Sequence, residues 1–189
     1  MGRVLAALDA SGEAENTLVV FAGDNGLAVG QHGLLGKQNL YDHSVRVPLI
    51  FRGPGIVRGA QHDALCYLLD VFPTLCEIMG VSPPGSVEGQ SLGPVLRGGA
   101  APRRALFCAY RSCQRMVRTR EWKLIAYHAG GEAHTQLFDI SRDPWEMRNL
   151  AGERDHGARL GHMRALLREH MASAGDPCDP DGLDGGVSS

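Results

Sequence analysis

The sequence predicts an α/β layer followed by a small antiparallel sheet closed by a helix, and three observations carry that prediction. Two short apolar runs, residues 17–22 (TLVVFA) and 47–51 (VPLIF), have the length and β-branched content of strands and lie among helical patterns. Four strand-like segments separated by brief polar breaks follow residue 104. Apolar residues at helical spacing then close the pattern with Leu160, Met163, Leu167 and Met171.

Each element has a local reason. Residues 2–11 place Val4, Leu5 and Leu8 on one helical face, with Gly12 as the C-terminal cap. No capping side chain precedes this helix, so its first amides lack the usual partners and the sequence is expected to be a piece of a longer domain. The run 17–22 reads as a strand buried on both faces of a parallel sheet. In 47–51 the strand starts beside Pro48 and ends at the turn Arg52-Gly53-Pro54-Gly55. The long polar, Gly-rich stretch between these strands is expected to be functional. Asp70 reads as the N-cap of a helix with Val71, Phe72, Leu75, Ile78 and Met79 as its apolar stripe, Pro73 in its first turn and Gly80 as its stop.

Residues 81–104, rich in proline and glycine, read as a connector. The strands beyond it are expected at 106–110, 116–119, 122–127 and 136–140, and the closing helix at about 155–171. The expected organisation is an α/β part over 1–100, the small sheet with its helix over 101–174, and a disordered Gly/Asp/Ser-rich tail over 175–189. One or two strands make an incomplete doubly wound sheet, so the α/β part is expected to need further sequence.

Composition narrows the partners. Lys plus Arg number 19 against 21 for Asp plus Glu, and the basic residues are scattered, which argues against nucleic acid. No run approaches the roughly 18 apolar residues of a membrane span. Five cysteines without a Cys-x-x-Cys pair give neither a zinc ribbon nor a disulfide framework, and they leave the compartment open.

The chemistry concentrates between residues 24 and 37. Asp24 and Asn25 follow the first strand, where open α/β sheets bind ligands, and together offer a carboxylate and an amide carbonyl to a hard cation. Asp-Asn-Gly is also ordinary turn chemistry. His32, in Gly30-Gln31-His32-Gly33, is a candidate proton donor or substrate contact, and Lys37, delivered by Gly36, is suited to an anionic ester oxygen. Taken singly, a loop histidine or lysine is more often solvated.

In order and spacing these segments resemble the sulfatases of the alkaline phosphatase superfamily. The resemblance runs from Asp24-Asn25 through His32-Gly33, Gly36-Lys37, Tyr41-Asp42 and Val47-Pro48-Leu49-Ile50 to the Gly-Pro-Gly turn. It continues in Asp70-Val71-Phe72-Pro73-Thr74, Glu88-Gly89-Gln90-Ser91-Leu92, Trp122-Lys123-Leu124-Ile125, Leu137-Phe138-Asp139-Ile140 and Asp143-Pro144-Trp145-Glu146 with Asn149-Leu150. It implies the C-terminal part of an alkaline-phosphatase-like mixed or parallel sheet domain. It also implies Asp24 and Asn25 as ligands of a divalent cation (calcium first, magnesium as the alternative), Lys37 as the sulfate-contacting lysine, and His32 as a catalytic or substrate-binding residue.

The family's formylglycine nucleophile arises from a Cys/Ser-x-Pro-x-Arg motif that this sequence lacks. Cys178-Asp179-Pro180 and Ser82-Pro83-Pro84 begin in a similar way but reach no arginine. The resemblance therefore implies a sulfate ester as substrate, an upstream part of the same domain as partner, and no turnover by this chain alone. Two alternatives accompany it: a phosphonate or phosphate monoester hydrolase of the same superfamily, and a non-catalytic remnant or binding module.

Overall fold

The computed structural model describes residues 1–129 and 132–178. The chain divides into two compact units, one formed by Met1–Asp24 with Val47–Pro102, the other by Asn25–Arg46 with the chain from Arg103 onward. The segment 25–46, expected with the α/β part, thus belongs with the C-terminal sheet.

In the first unit, α1 (Gly2–Ser11) ends at Gly12, whose positive φ of 76° lets its N–H reach the Asp9 carbonyl. Strand β1 (Val19–Ala22) pairs with β4 (Leu49–Arg52), Val19 opposite Arg52 and Ala22 opposite Leu49. The pairing is antiparallel, which corrects the expectation of a parallel strand buried on both faces. Phe21 and Ile50 are 38% and 57% exposed. A continuous apolar run records that a segment is strand-like, but neither the direction of its partner nor the covering of its faces.

Helix α3 (Val71–Met79) stops at Gly80, also left-handed at φ 68°. Asp70 occupies the N-cap position, yet its fully buried carboxylate does not cap α3, which corrects that expectation. Its oxygens instead accept the N–H groups of Tyr67 and Gln90, each at 2.8 Å. The Thr74 hydroxyl donates to the Asp70 carbonyl (2.6 Å) and accepts from the Leu92 N–H (2.8 Å). Two buried polar side chains thereby satisfy the Gln90 and Leu92 amides of the loop that follows Gly89. At Gly89 a Cβ would lie 2.2 Å from the Leu69 carbonyl oxygen, so no larger residue fits this close approach. Helix α4 (Gly93–Leu96) lies within the expected connector.

In the second unit, β5 (Ala105–Tyr110), β6 (Gln114–Thr119), β7 (Trp122–Ala129) and β8 (Glu132–Asp139) form a four-stranded antiparallel meander in that order. The sheet of the sequence prediction is present, and its last two strands are longer than expected. Period-two alternation sends neighbouring residues to opposite faces. One face brings Val117, Leu124 and Leu137 against Met163, Leu167 and Met171 of α5 (Gly157–Ser173). The other turns Met116, Ile125 and Phe138 toward Leu40, with Tyr41 and Val45 packed on that cluster. The sheet is therefore covered on both faces, by α5 and by part of the 25–46 segment. Of the tail expected from residue 175, residues 179–189 lie outside the described residues, whereas Asp176 forms an ion pair with the buried Arg115.

Among the described residues no helix is long and apolar enough to cross a membrane.

Candidate functional site

The chain passes from the first unit into the second between Asp24 and Asn25, and returns after Arg46. Asp24 lies two residues beyond β1, where the Gly23 N–H donates to the Pro48 carbonyl at 3.3 Å and keeps this strand end beside the start of β4. Asp24 is exposed and Asn25 half-buried. After Asn25, the Gly26 N–H donates to the Ser44 carbonyl (2.9 Å), and a Cβ on Gly26 would lie 2.0 Å from the His43 carbonyl oxygen. Only glycine allows this contact, which draws the chain leaving Asn25 onto the short helix α2 (Asp42–Val45).

The stretch 27–37 has more structure than its composition suggests. Strands β2 (Ala28–Val29) and β3 (Leu35–Gly36) pair antiparallel, and the Gly30 N–H closes the hairpin end on the Leu34 carbonyl at 2.9 Å. Gly30, His32, Gly33 and Gly36 all have positive φ. For His32, at φ 53°, this is a conformation that L side chains adopt sparingly, held here by the closed loop. Lys37 follows Gly36 directly and is exposed.

His32 is half-buried and stacked. Its ring lies 4.1 Å from that of Tyr41 with planes 4° apart, and His43 stacks against both at 5.6 Å. Its Nε2 lies 3.2 Å from the Trp145 carbonyl, a contact that requires the proton on Nε2. The Tyr41 hydroxyl donates to Gln136 at 2.8 Å. Burial pushes the Tyr41 phenol up. Burial also lowers His43, aided by His32 and Lys123 and opposed by Asp42.

Beneath the stack lies an ion cluster that reading the sequence did not find. Lys123 of β7 is 0% exposed, and its Nζ donates to Asp42 Oδ1 at 2.8 Å and meets Glu146 Oε1 at 2.6 Å. Glu146 Oε2 accepts the Asp42 N–H at 2.7 Å, and Arg118 stands 3.5 Å from Asp42 Oδ2. Burial by itself would raise the Asp42 carboxyl; Lys123, through charge and hydrogen bond, and then Arg118 and Arg46 outweigh it and hold the group below the usual carboxylate range. One signal was available: Lys123 is in phase with Ile125 on the face that packs against Leu40, where a lysine requires anionic partners.

A depressed carboxylate contributes stability that is complete above its ordinary pKa and is lost as pH falls through its lower folded value. Wild-type stability is therefore expected to fall below about pH 4, and Asp42→Asn should flatten that dependence in urea unfolding measured between pH 7 and 3. An unchanged acid limb in the variant would show that Asp42 is not a source of it.

Asn25, His32 and Lys37 are thus carried by one segment, braced on the sheet through Leu40, Tyr41 and Asp42. Among the described residues no group of three or more His, Cys, Asp and Glu is arranged to hold a metal ion. Asp24 and Asn25 offer oxygen donors of the kind a hard cation takes, two of the roughly six to eight that calcium uses.

The meander closed by a helix and the spacing of Asp24-Asn25, His32-Gly33 and Gly36-Lys37 resemble the C-terminal part of the sulfatases. Residues 30–173 match the family described as N-sulphoglucosamine sulphohydrolase, C-terminal, and the chain belongs to that family, among the sulfatases of the alkaline phosphatase superfamily.

Relatives include Arylsulfatase K of Mus musculus, 32% identical over 166 residues that cover 81% of this chain and 30% of the mouse protein. N-acetylglucosamine-6-O-sulfatase of Bacteroides thetaiotaomicron is 32% identical over 194 residues, covering 96% and 34%. The chain thus spans about a third of the length of these relatives. A protein solved in complex with its substrate D-glucosamine-2-N,6-O-disulfate superimposes with TM-score 0.83 at 30% identity, over 95% of this chain and 39% of the other. The phosphonate monoester hydrolase of Agrobacterium radiobacter gives 0.74 at 30% identity, over 90% and 38%.

Proposed function

We propose that this chain is the C-terminal part of a sulfuric ester hydrolase and contributes the anion-holding side of its site. The observation that carries the reading is one segment, 24–37, in which a carboxylate and an amide precede a closed hairpin that ends at Gly36-Lys37. Lys37 brings three N–H donors to the sulfate oxygens as charge builds on them. His32, fixed by its stack, keeps a proton on Nε2 and orients the bound ester. Asp24 and Asn25 contribute two oxygens to a calcium ion, with magnesium as the alternative. When bound, that ion supplies Lewis acidity and neutralises the ester's charge. The remaining ligands and the formylglycine nucleophile belong to an upstream part of the same domain.

In this reading the 189-residue chain alone binds calcium weakly and hydrolyses no sulfate ester. The full-length protein is expected to cleave 4-nitrophenyl sulfate or a glucosamine 6-sulfate. Removal of metal should abolish turnover and added calcium restore it, while Asp24→Ala should weaken calcium binding by at least about tenfold in calorimetric titration. Turnover that survives both chelation and Asp24→Ala would sink the metal assignment.

The likeness to a phosphonate monoester hydrolase supports a second reading, in which the same residues hold a phosphonate ester. Comparing kcat/KM for 4-nitrophenyl sulfate and 4-nitrophenyl phenylphosphonate separates the two.

A further inference from the structure

The buried ions beneath the 25–46 segment have no part in the chemistry just described, yet they hold a lysine and two carboxylates largely out of solvent. Lys123 is wholly enclosed, and Glu146 side-chain exposure is 2%. Glu146 itself is held at φ 58°, a left-handed conformation that turns its carboxylate toward Lys123 and the Asp42 N–H together. Replacing such a cluster with apolar residues is often neutral or stabilising, so stability alone is a weak reason for a lysine here. What the cluster does specify is position. Its two ends are the strand residue Lys123 and α2, which accepts the Gly26 N–H at Ser44 and packs Gly26 under His43. Tyr41, next to Asp42, carries the His32 stack, and Trp145, next to Glu146, supplies the carbonyl that holds His32 Nε2.

We propose that Lys123 and Glu146 are positioning residues: they fix Asp42, and through it set the placement of Asn25, His32 and Lys37 on the sheet. The proposal rests on the sulfatase reading for the meaning of those three residues, but its mechanical half does not. Lys123 pairs with two carboxylates on separate segments, donating to Asp42 and standing against Glu146, and Glu146 in turn accepts the backbone N–H of Asp42. A neutral side chain of the same length at 123 fills the space and leaves both carboxylates without their cation, so the segment loses its anchor.

The test is Lys123→Met in the full-length protein, with Glu146→Gln as a milder change that keeps the shape of the cluster, read by hydrogen exchange and by steady-state kinetics. Exchange in peptides spanning 26–45 should accelerate by on the order of a hundredfold, while peptides from the interior of β6 and β7 keep their protection. With 4-nitrophenyl sulfate, kcat should fall by roughly ten- to a hundredfold with little change in KM, because the binding groups are present but misplaced. Glu146→Gln should shift both readouts in the same direction by less.

Should Lys123→Met unfold the protein, Glu146→Gln alone decides. Unchanged exchange over 26–45, or equal acceleration over the segment and the strands, overturns the proposal. A Lys37→Ala control separates the two levels. If Lys37→Ala abolishes turnover while the Lys123 and Glu146 variants leave exchange and kcat untouched, the positioning role is wrong and the sulfatase reading stands. If the segment loosens as expected but Lys37→Ala leaves turnover intact, the sulfatase assignment of Lys37 is wrong and the anchoring role stands.

Discussion

Lys37→Ala in the full-length protein should lower kcat for a sulfate ester by roughly 10²–10³-fold, about 2.7–4 kcal/mol of transition-state stabilisation. The size follows from where the charge is delivered. Lys37 follows a glycine at φ 105° that closes β3, so its backbone is set by the hairpin while its side chain remains exposed. An ammonium delivered from a fixed backbone acts on charge that grows in the transition state, so the loss should fall mainly on kcat and leave KM less affected. Lys37→Arg should recover only part of the rate, since a planar fork does not reproduce a compact ammonium. The measurement is steady-state turnover of 4-nitrophenyl sulfate. Activity within twofold of wild type for Lys37→Ala would remove this residue from the site.

Phe138→Ala is the second large effect, expected to cost about 3–5 kcal/mol in urea unfolding. Phe138 is 1% exposed on the sheet face that Leu40 covers, among Met116, Ile125 and Ile140, and its ring is 6.1 Å from that of Tyr41. Truncation would open a cavity directly beneath the His32 stack, because neighbouring strand residues cannot collapse into it. A stability loss is therefore expected together with a drop in kcat. Leu167→Ala, on the opposite face under α5, should cost about 2–5 kcal/mol and leave kcat nearly unchanged in the folded fraction. Equal kinetic effects from the two variants would show that the covered face does not support the site.

Much of the sheet unit was legible because its signals are local. The breaks between strands, the alternation through Met116-Val117 and Leu124-Ile125, and the helical spacing from Leu160 to Met171 each depend on residues close in sequence. The β1 pairing was misread because a run such as TLVVFA looks the same in a parallel or an antiparallel sheet. Asp70 was misread for a related reason. Its carboxylate serves the Gln90 N–H, 20 residues away, and nothing in its neighbourhood announces that partner. Lys123 drew no reading of its own beyond the Trp122-Lys123-Leu124-Ile125 motif, since its two carboxylates come from residues 42 and 146.

By itself, then, the sequence determined the family, the meander, the closing helix and the spacing of Asp24, Asn25, His32 and Lys37, all of which are written in short-range pattern. Only the tertiary structure decided that the second face of the sheet is covered by part of the Asn25–Arg46 segment, that His32 is stacked on Tyr41 and held at Nε2 by the Trp145 carbonyl, and that a lysine is buried beneath them. The physical reason is that periodicity states which side chains share a face, whereas what covers that face, and whether a buried charge has a partner there, depends on segments about eighty residues apart meeting in space.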